Sequence, residues 1–156
     1  MAARVVLVDP AGRVLLFRGF DPARPGATWW FTVGGGVEPG EDLRAAALRE
    51  AREETGLDLA ELRGPVWRRL ANFSFDGRRY EAEEWFFTAT ATGPVDTSGF
   101  TELEARTVVE HRWWSAAELR ATSEVFYPAR LPELLDGLPD HPDGPPLLLD
   151  DREPAP

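Results

Sequence analysis

The residues best placed to do chemistry lie in one stretch, GGGVEPGEDLRAAALREAREETGL, residues 34–57. Its Asp42 to Thr55 segment is rich in Ala, Leu, Arg and Glu and predicts a helix, with Asp42 near the start and Gly56 as the stop. Glu50, Glu53 and Glu54 then crowd the helix C-terminus, where the dipole favours cations. Glu50 and Glu54 also stand at i, i+4, a like-charge spacing that costs roughly 0.2–0.5 kcal/mol. All three carboxylates share one helix face. They form a patch of hard oxygen ligands of the kind Mg²⁺ and Mn²⁺ take, and a divalent cation would offset both the repulsion and the dipole. Arg49 lies four residues before Glu53, and Glu41 two turns before Arg49 on the same side, so Arg49 can brace the carboxylates. Mixed Arg/Glu helices are common, and most of their ion pairs are solvated and worth little. The three preceding glycines sharpen the case, because they permit close backbone approach beside the patch.

The elements that must position this patch can be read around it. ARVVLVDPAGRVLLFRG predicts a hairpin, with apolar runs at 4–8 and 13–18 about the turn DPAG. Residues 20–28 are Pro/Gly-rich and predict a loop, and WWFTV, residues 29–33, a short strand running into the glycines. Leu43, Ala47 and Ala51 predict the buried stripe of the helix. Strands at 66–75 and 78–90 flank Asp76-Gly77, a strong hairpin signal, and a further strand is expected at 107–115. Ser115 and Glu118 fit a capping box for a short helix, and another helix is expected near 128–137. The segment 140–156 is Pro-rich and acidic and predicts a loosely ordered tail, with Leu147 to Leu149 able to dock. The domain is thus expected over 1–139 as an α/β fold, a mixed sheet with helices on its faces.

Composition narrows the function classes. The chain has 156 residues and a net charge of −10, which opposes binding to duplex nucleic acid or an anionic membrane surface. No apolar run is long enough to span a bilayer, and the start lacks a signal-peptide plan. Cysteine is absent, which removes disulfides and thiolate chemistry and fits a cytoplasmic protein. Lysine and isoleucine are absent too, a composition expected of a GC-rich bacterial genome. Without lysine there is no P-loop, and Pro39 breaks the dinucleotide-binding glycine pattern. The only histidines are His111, beside Trp113 and Trp114 in a predicted strand, and His141 in the tail; neither reads as catalytic.

The stretch resembles the signature of the Nudix (MutT-like) hydrolase family, G-x5-E-x7-R-E-U-x-E-E-x-G-U, with U a bulky aliphatic. Here it reads Gly35, Glu41, Arg49-Glu50-Ala51-Arg52-Glu53-Glu54-Thr55-Gly56-Leu57, every fixed letter in place. Ala51 is smaller than usual, and Val33 stands where many members have proline. The resemblance covers residues 2–138 and implies an α/β/α sandwich with a mixed, curved β-sheet. It implies hydrolysis of a nucleoside diphosphate linked to another group, by water and Mg²⁺ or Mn²⁺. By matching position, Glu50, Glu53 and Glu54 would hold the metal, joined by the Gly35 carbonyl. Glu53 or Glu54 would be the general base, with Glu41 and Arg49 orienting the ligands. A homodimer is expected from family habit. The alternative on the same fold is a regulatory module that binds a nucleotide without turnover, against which the intact REAREE argues.

Substrate residues lie outside the signature. Arg18, Arg68, Arg69, Arg78 and Arg79 are candidates for phosphate, and Trp29, Trp30, Trp67 and Trp85 for stacking on a base. From these, Arg18, Arg68, Arg78 and Trp30 are the expected substrate contacts. Glu83, Glu84, Glu102 and Glu104 are candidates for one more carboxylate. The patterns expected of coenzyme A and ADP-ribose hydrolases are missing, which leaves a small nucleotide of the (d)NTP type as the expected substrate.

Overall fold

The computed structural model describes residues 1–139, 142 and 144–150. Its centre is strand β1 (Ala2–Val8), whose side chains alternate between two buried faces. Ala3, Val5 and Leu7 join one core, and Val6 joins another on the opposite face. Strands β2 (Val14–Asp21), β3 (Arg24–Gly36), β4 (Arg63–Phe75), β5 (Arg78–Thr90), β6 (Val108–Trp114), β7 (Phe126–Tyr127) and β8 (Leu147–Leu149) complete one sheet. Its order is β6-β2-β3-β1-β5-β4-β8, with β7 added to β3. The β1–β5, β3–β7 and β4–β8 pairs are parallel and the rest antiparallel, so the sheet is mixed as expected.

Helix α1 (Leu43–Thr55) covers one face. Asp42 caps it by accepting from the Ala45 N–H at 2.8 Å, and Gly56 ends it at φ 68°. Ala46, Ala47 and Ala51 are fully buried, and their small size brings the helix close to β1 and β3. Leu43, expected in the buried stripe, is only partly buried. Helices α3 (Ala116–Ala121) and α4 (Leu131–Asp136) cover the other face through Leu119, Leu131 and Leu134. Ser115 and Glu118 form the expected capping box of α3. The layers are therefore α/β/α.

Two expectations change. Residues 20–28 are mostly strand: β3 begins at Arg24, and Phe20 pairs with Thr28. Pro25 and Gly26 sit exposed at the far end of this hairpin, where a missing N–H or side chain costs little. Its turn is held by the buried Asp21 carboxylate, which accepts from the N–H of Ala23 (2.9 Å) and of Asp76 (2.7 Å) in the neighbouring hairpin. A short helix, α2 (Glu102–Thr107), precedes β6 and is unexpected from sequence. Its signal is the Thr101/Glu104 capping box, in which each residue bonds the other's backbone N–H. In the C-terminal segment, Leu147 to Leu149 pair with Trp67 to Arg69, and Leu149 enters the core beside them. His141 lies outside the described residues. Removing residues 140–156 is expected to cost about 2 kcal/mol, the burial of one leucine. Urea denaturation checks this, and an unchanged midpoint would refute it.

Candidate active site

The site begins where β3 meets α1. β3 pairs with β1 right through the glycines, Arg4 with Gly34 and Ala3 with Gly35. Gly34 has φ 132°, and a Cβ there would stand 2.2 Å from the Ala3 carbonyl oxygen. A Cβ at Gly35 would lie 2.6–2.8 Å from the Glu50 carboxylate atoms. Gly34 thus requires glycine, and Gly35 backs directly onto a candidate ligand.

Arg49 uses its whole guanidinium as a brace. Its Nε and Nη2 donate to the two oxygens of Glu41 at 2.8 and 3.0 Å, a bidentate pair. Nη2 also donates to the Gly36 carbonyl at 2.9 Å, and Nη1 to Glu50 Oε1 at 2.9 Å and Glu53 Oε2 at 3.2 Å. Glu41 in turn accepts from the Glu38 N–H at 3.0 Å. Helix and loop are locked together as the sequence spacing implies. The Arg49 hydrogen bonds hold Glu41 below the usual carboxylate range, and Glu41 in turn raises the already high pKa of Arg49.

Glu50 and Glu54 are buried on α1 and meet Glu104 of α2. One oxygen from each lies within 4.8 Å of the others, a set that fits a divalent cation. Glu54 Oε2 accepts from the Gly34 N–H at 2.8 Å, and Glu104 Oε2 accepts from the Thr101 N–H at 2.7 Å. Burial pushes Glu54 up to about 8, against the lowering effect of the Gly34 N–H, and burial also raises Glu50. Glu53, also expected as a ligand, lies outside this close group; its side chain is 48 % exposed and bonds Arg49. Of the four later carboxylates considered from sequence, Glu104 is the one that joins. Glu84 is engaged by Arg4 and Arg69.

Glu54 and Glu104 stand in the wall of a cleft of about 440 Å³. Trp29, Phe31, Phe73, Phe75 and Tyr127 line it with rings, and Arg4 and Arg69 line it with guanidinium groups. None of the four expected substrate contacts lines this cleft. Trp30 is 2 % exposed and packs edge-on against Trp114, with its indole N–H on Glu124, so no ring face is free for a base. Arg18 is held by Glu110 at 2.8 Å, and Arg68 by Glu83 at 2.6 Å. Arg78 is exposed beside the Asp76-Gly77 turn. The neighbours Trp29 and Arg69 line the cleft, because adjacent strand residues face opposite sides.

Glu50 and Glu54 of α1 and Glu104 of α2, meeting beside a cleft in an α/β/α sandwich, form a set that could hold a divalent metal ion. Residues 1–134 match the family model described as NUDIX domain, and the chain belongs to the Nudix family as a pyrophosphohydrolase. Among curated relatives, the chain is 37 % identical over 134 residues to "RNA pyrophosphohydrolase" of Caulobacter vibrioides, covering 80 % of this chain and 74 % of that protein. Among solved structures it is similar to a MutT protein from Methanosarcina mazei, at 22 % identity and TM-score 0.61, covering 87 % and 89 % of the two chains. It is also similar to a MutT NUDIX hydrolase from Burkholderia pseudomallei, at 19 % identity and TM-score 0.62, covering 88 % and 96 %.

The raised Glu54 sets a pH dependence in metal-free protein. Its folded pKa, about 8, lies above the ordinary 4.5, so the native state binds the proton more tightly than the unfolded state. Stability therefore falls as pH rises from about 4.5 through about 8, over the interval in which folded Glu54 resists ionising. Glu54→Gln is expected to remove this contribution and to melt above wild type at pH 9 in chelator, with little difference at pH 4. Melting curves across pH check it; parallel curves for both proteins would refute it.

Proposed function

We propose that the chain hydrolyses the pyrophosphate linkage of a nucleoside diphosphate derivative, with a small nucleotide of the (d)NTP type as the preferred substrate. The observation that supports this reading is the meeting of Glu50, Glu54 and Glu104, the last two of them in the wall of a ring-lined cleft. Mg²⁺ or Mn²⁺ would be held by Glu50, Glu54 and Glu104, with Glu53 and the Gly35 carbonyl as further ligands the signature implies. Bound there, the ion supplies charge neutralisation at phosphate oxygens and a more acidic water. Arg49 and Glu41 keep the carboxylates in place. Glu53 or Glu54 takes the proton from the attacking water, and single variants separate the two. The base is the residue whose Gln variant lowers kcat by about 10²–10⁴-fold even at saturating Mn²⁺. The rings of Trp29 and Phe31 offer a surface for the base of the nucleotide.

A second reading, the 5′ end of an RNA, is favoured by the name of the Caulobacter relative. A net charge of −10 weighs against a polyanion and toward a mononucleotide. A panel of (d)NTPs, ADP-ribose, dinucleoside polyphosphates, nucleotide sugars, coenzyme A and a 5′-triphosphorylated oligoribonucleotide, each with Mg²⁺, decides between them. The expected result is highest kcat/KM on a (d)NTP, with a Glu53→Gln, Glu54→Gln double variant inactive. Preference for the oligoribonucleotide would transfer the assignment to RNA ends, and an active double variant would refute both readings.

A further inference from the structure

Arg4, Glu84 and Arg69 take no part in the metal or proton chemistry above, yet they form a charged row across the sheet, Arg69 and Glu84 buried and Arg4 partly buried. Arg69 on β4 is in register with Glu84 on β5, and Glu84 with Ala2 of β1, two residues before Arg4. Glu84 is 2 % exposed and Arg69 5 %. Arg69 Nε donates to Glu84 Oε2 at 2.8 Å, and Arg4 Nε donates to Glu84 Oε1 at 3.0 Å. Arg69 also stands over the Tyr127 ring, 5.7 Å from its centroid. Apolar side chains of similar volume commonly serve stability as well as a buried ionic set, so stability alone does not explain this one.

The row does not stop at Arg4. Its Nη1 donates to the Gly34 carbonyl at 2.8 Å. The N–H of the same Gly34 donates to Glu54 Oε2 at 2.8 Å. Gly34 is the residue at φ 132° whose backbone has no room for a side chain, and it forms the hinge between the row and the acidic cluster. Burial alone would lower the Arg4 pKa; the charges of Glu84 and then Glu54 outweigh it, so Arg4 is held firmly charged beside Glu54.

We propose that Arg4, set in place by Glu84 and Arg69, is a positioning residue that fixes Gly34 so that its N–H presents Glu54 to the acidic cluster. Metal affinity at Glu54 is thereby controlled by a residue pair that starts three strands away on β4. The inference rests on the reading of Glu54 as a metal ligand. It explains why β1 carries a charged residue, Arg4, between the buried Ala2 and Val6 of the same face, and why the Glu84 carboxylate is spent on two guanidinium groups instead of a metal.

The test is Mn²⁺ affinity, measured without substrate by electron paramagnetic resonance and calorimetry. Arg4→Lys keeps the charge but cannot bridge Glu84 and the Gly34 carbonyl together. It is expected to weaken Mn²⁺ binding roughly 10- to 100-fold, as loss of an outer support does at metal sites, while the metal-free melting temperature stays near wild type. kcat at limiting Mn²⁺ falls, and saturating Mn²⁺ restores much of it with KM for the nucleotide unchanged. Combined with Glu54→Gln, Arg4→Lys adds no further loss of Mn²⁺ affinity, because both act through one carboxylate. Should Arg4→Lys fail to fold, Glu84→Gln carries the same expectation for Mn²⁺ affinity, with side-chain volume kept and a lower melting temperature. Unchanged Mn²⁺ affinity with a raised KM would make Arg4 a substrate contact and overturn the inference alone. A wild type that binds no Mn²⁺ overturns the metal reading and this inference with it.

Discussion

Two carboxylates buried side by side at the negative end of a helix are the constraint on which the rest of this molecule turns. Glu50 and Glu54 repel one another, oppose the helix dipole, and are raised in pKa by burial. A fold tolerates such an arrangement when neighbouring groups hold it and when a ligand of opposite charge makes it useful. The holding groups are on every side. Arg49 bonds Glu50 and anchors it to Glu41, the Gly34 N–H bonds Glu54, and Gly35 leaves the space the Glu50 carboxylate fills.

The layers of the fold deliver these groups from separate parts of the chain. The alanine face of α1 lets the helix lie close enough to β1 and β3 for its carboxylates to reach the glycine backbone. α2 brings Glu104 from far along the chain, and its capping box with Thr101 sets that carboxylate as it starts the helix. Glu54 and Glu104 also line a cleft whose rings and guanidinium groups come from β3, β4, β1 and β7.

The helical half of the site was legible because it is local. Glu41, Arg49, Glu50 and Glu53 are related by helical spacing and one short loop, so their mutual bonds follow from position alone. Glu104 was one of four candidate carboxylates, and only tertiary contact separates it from Glu84, whose charge two arginines consume. None of the four expected substrate contacts lines the cleft. Trp29-Trp30 and Arg68-Arg69 each offer the same residue type on both faces of a strand, so residue type alone does not mark which face is the cleft. The extension of β3 back to Arg24 was hidden by Pro25 and Gly26, which in sequence are loop residues and here sit on an exposed hairpin end.

The most direct measurement of the central claim is calorimetric titration of Mn²⁺ into the metal-free protein at pH 7, in buffers of different ionisation enthalpy. With Glu54 at about 8, most molecules carry its proton at that pH, and a cation bound by its carboxylate must displace it. The predicted result is saturable binding with release of about one proton per chain, lost in Glu54→Gln. Absence of saturable binding, or binding that releases no proton and survives Glu54→Gln, would contradict it.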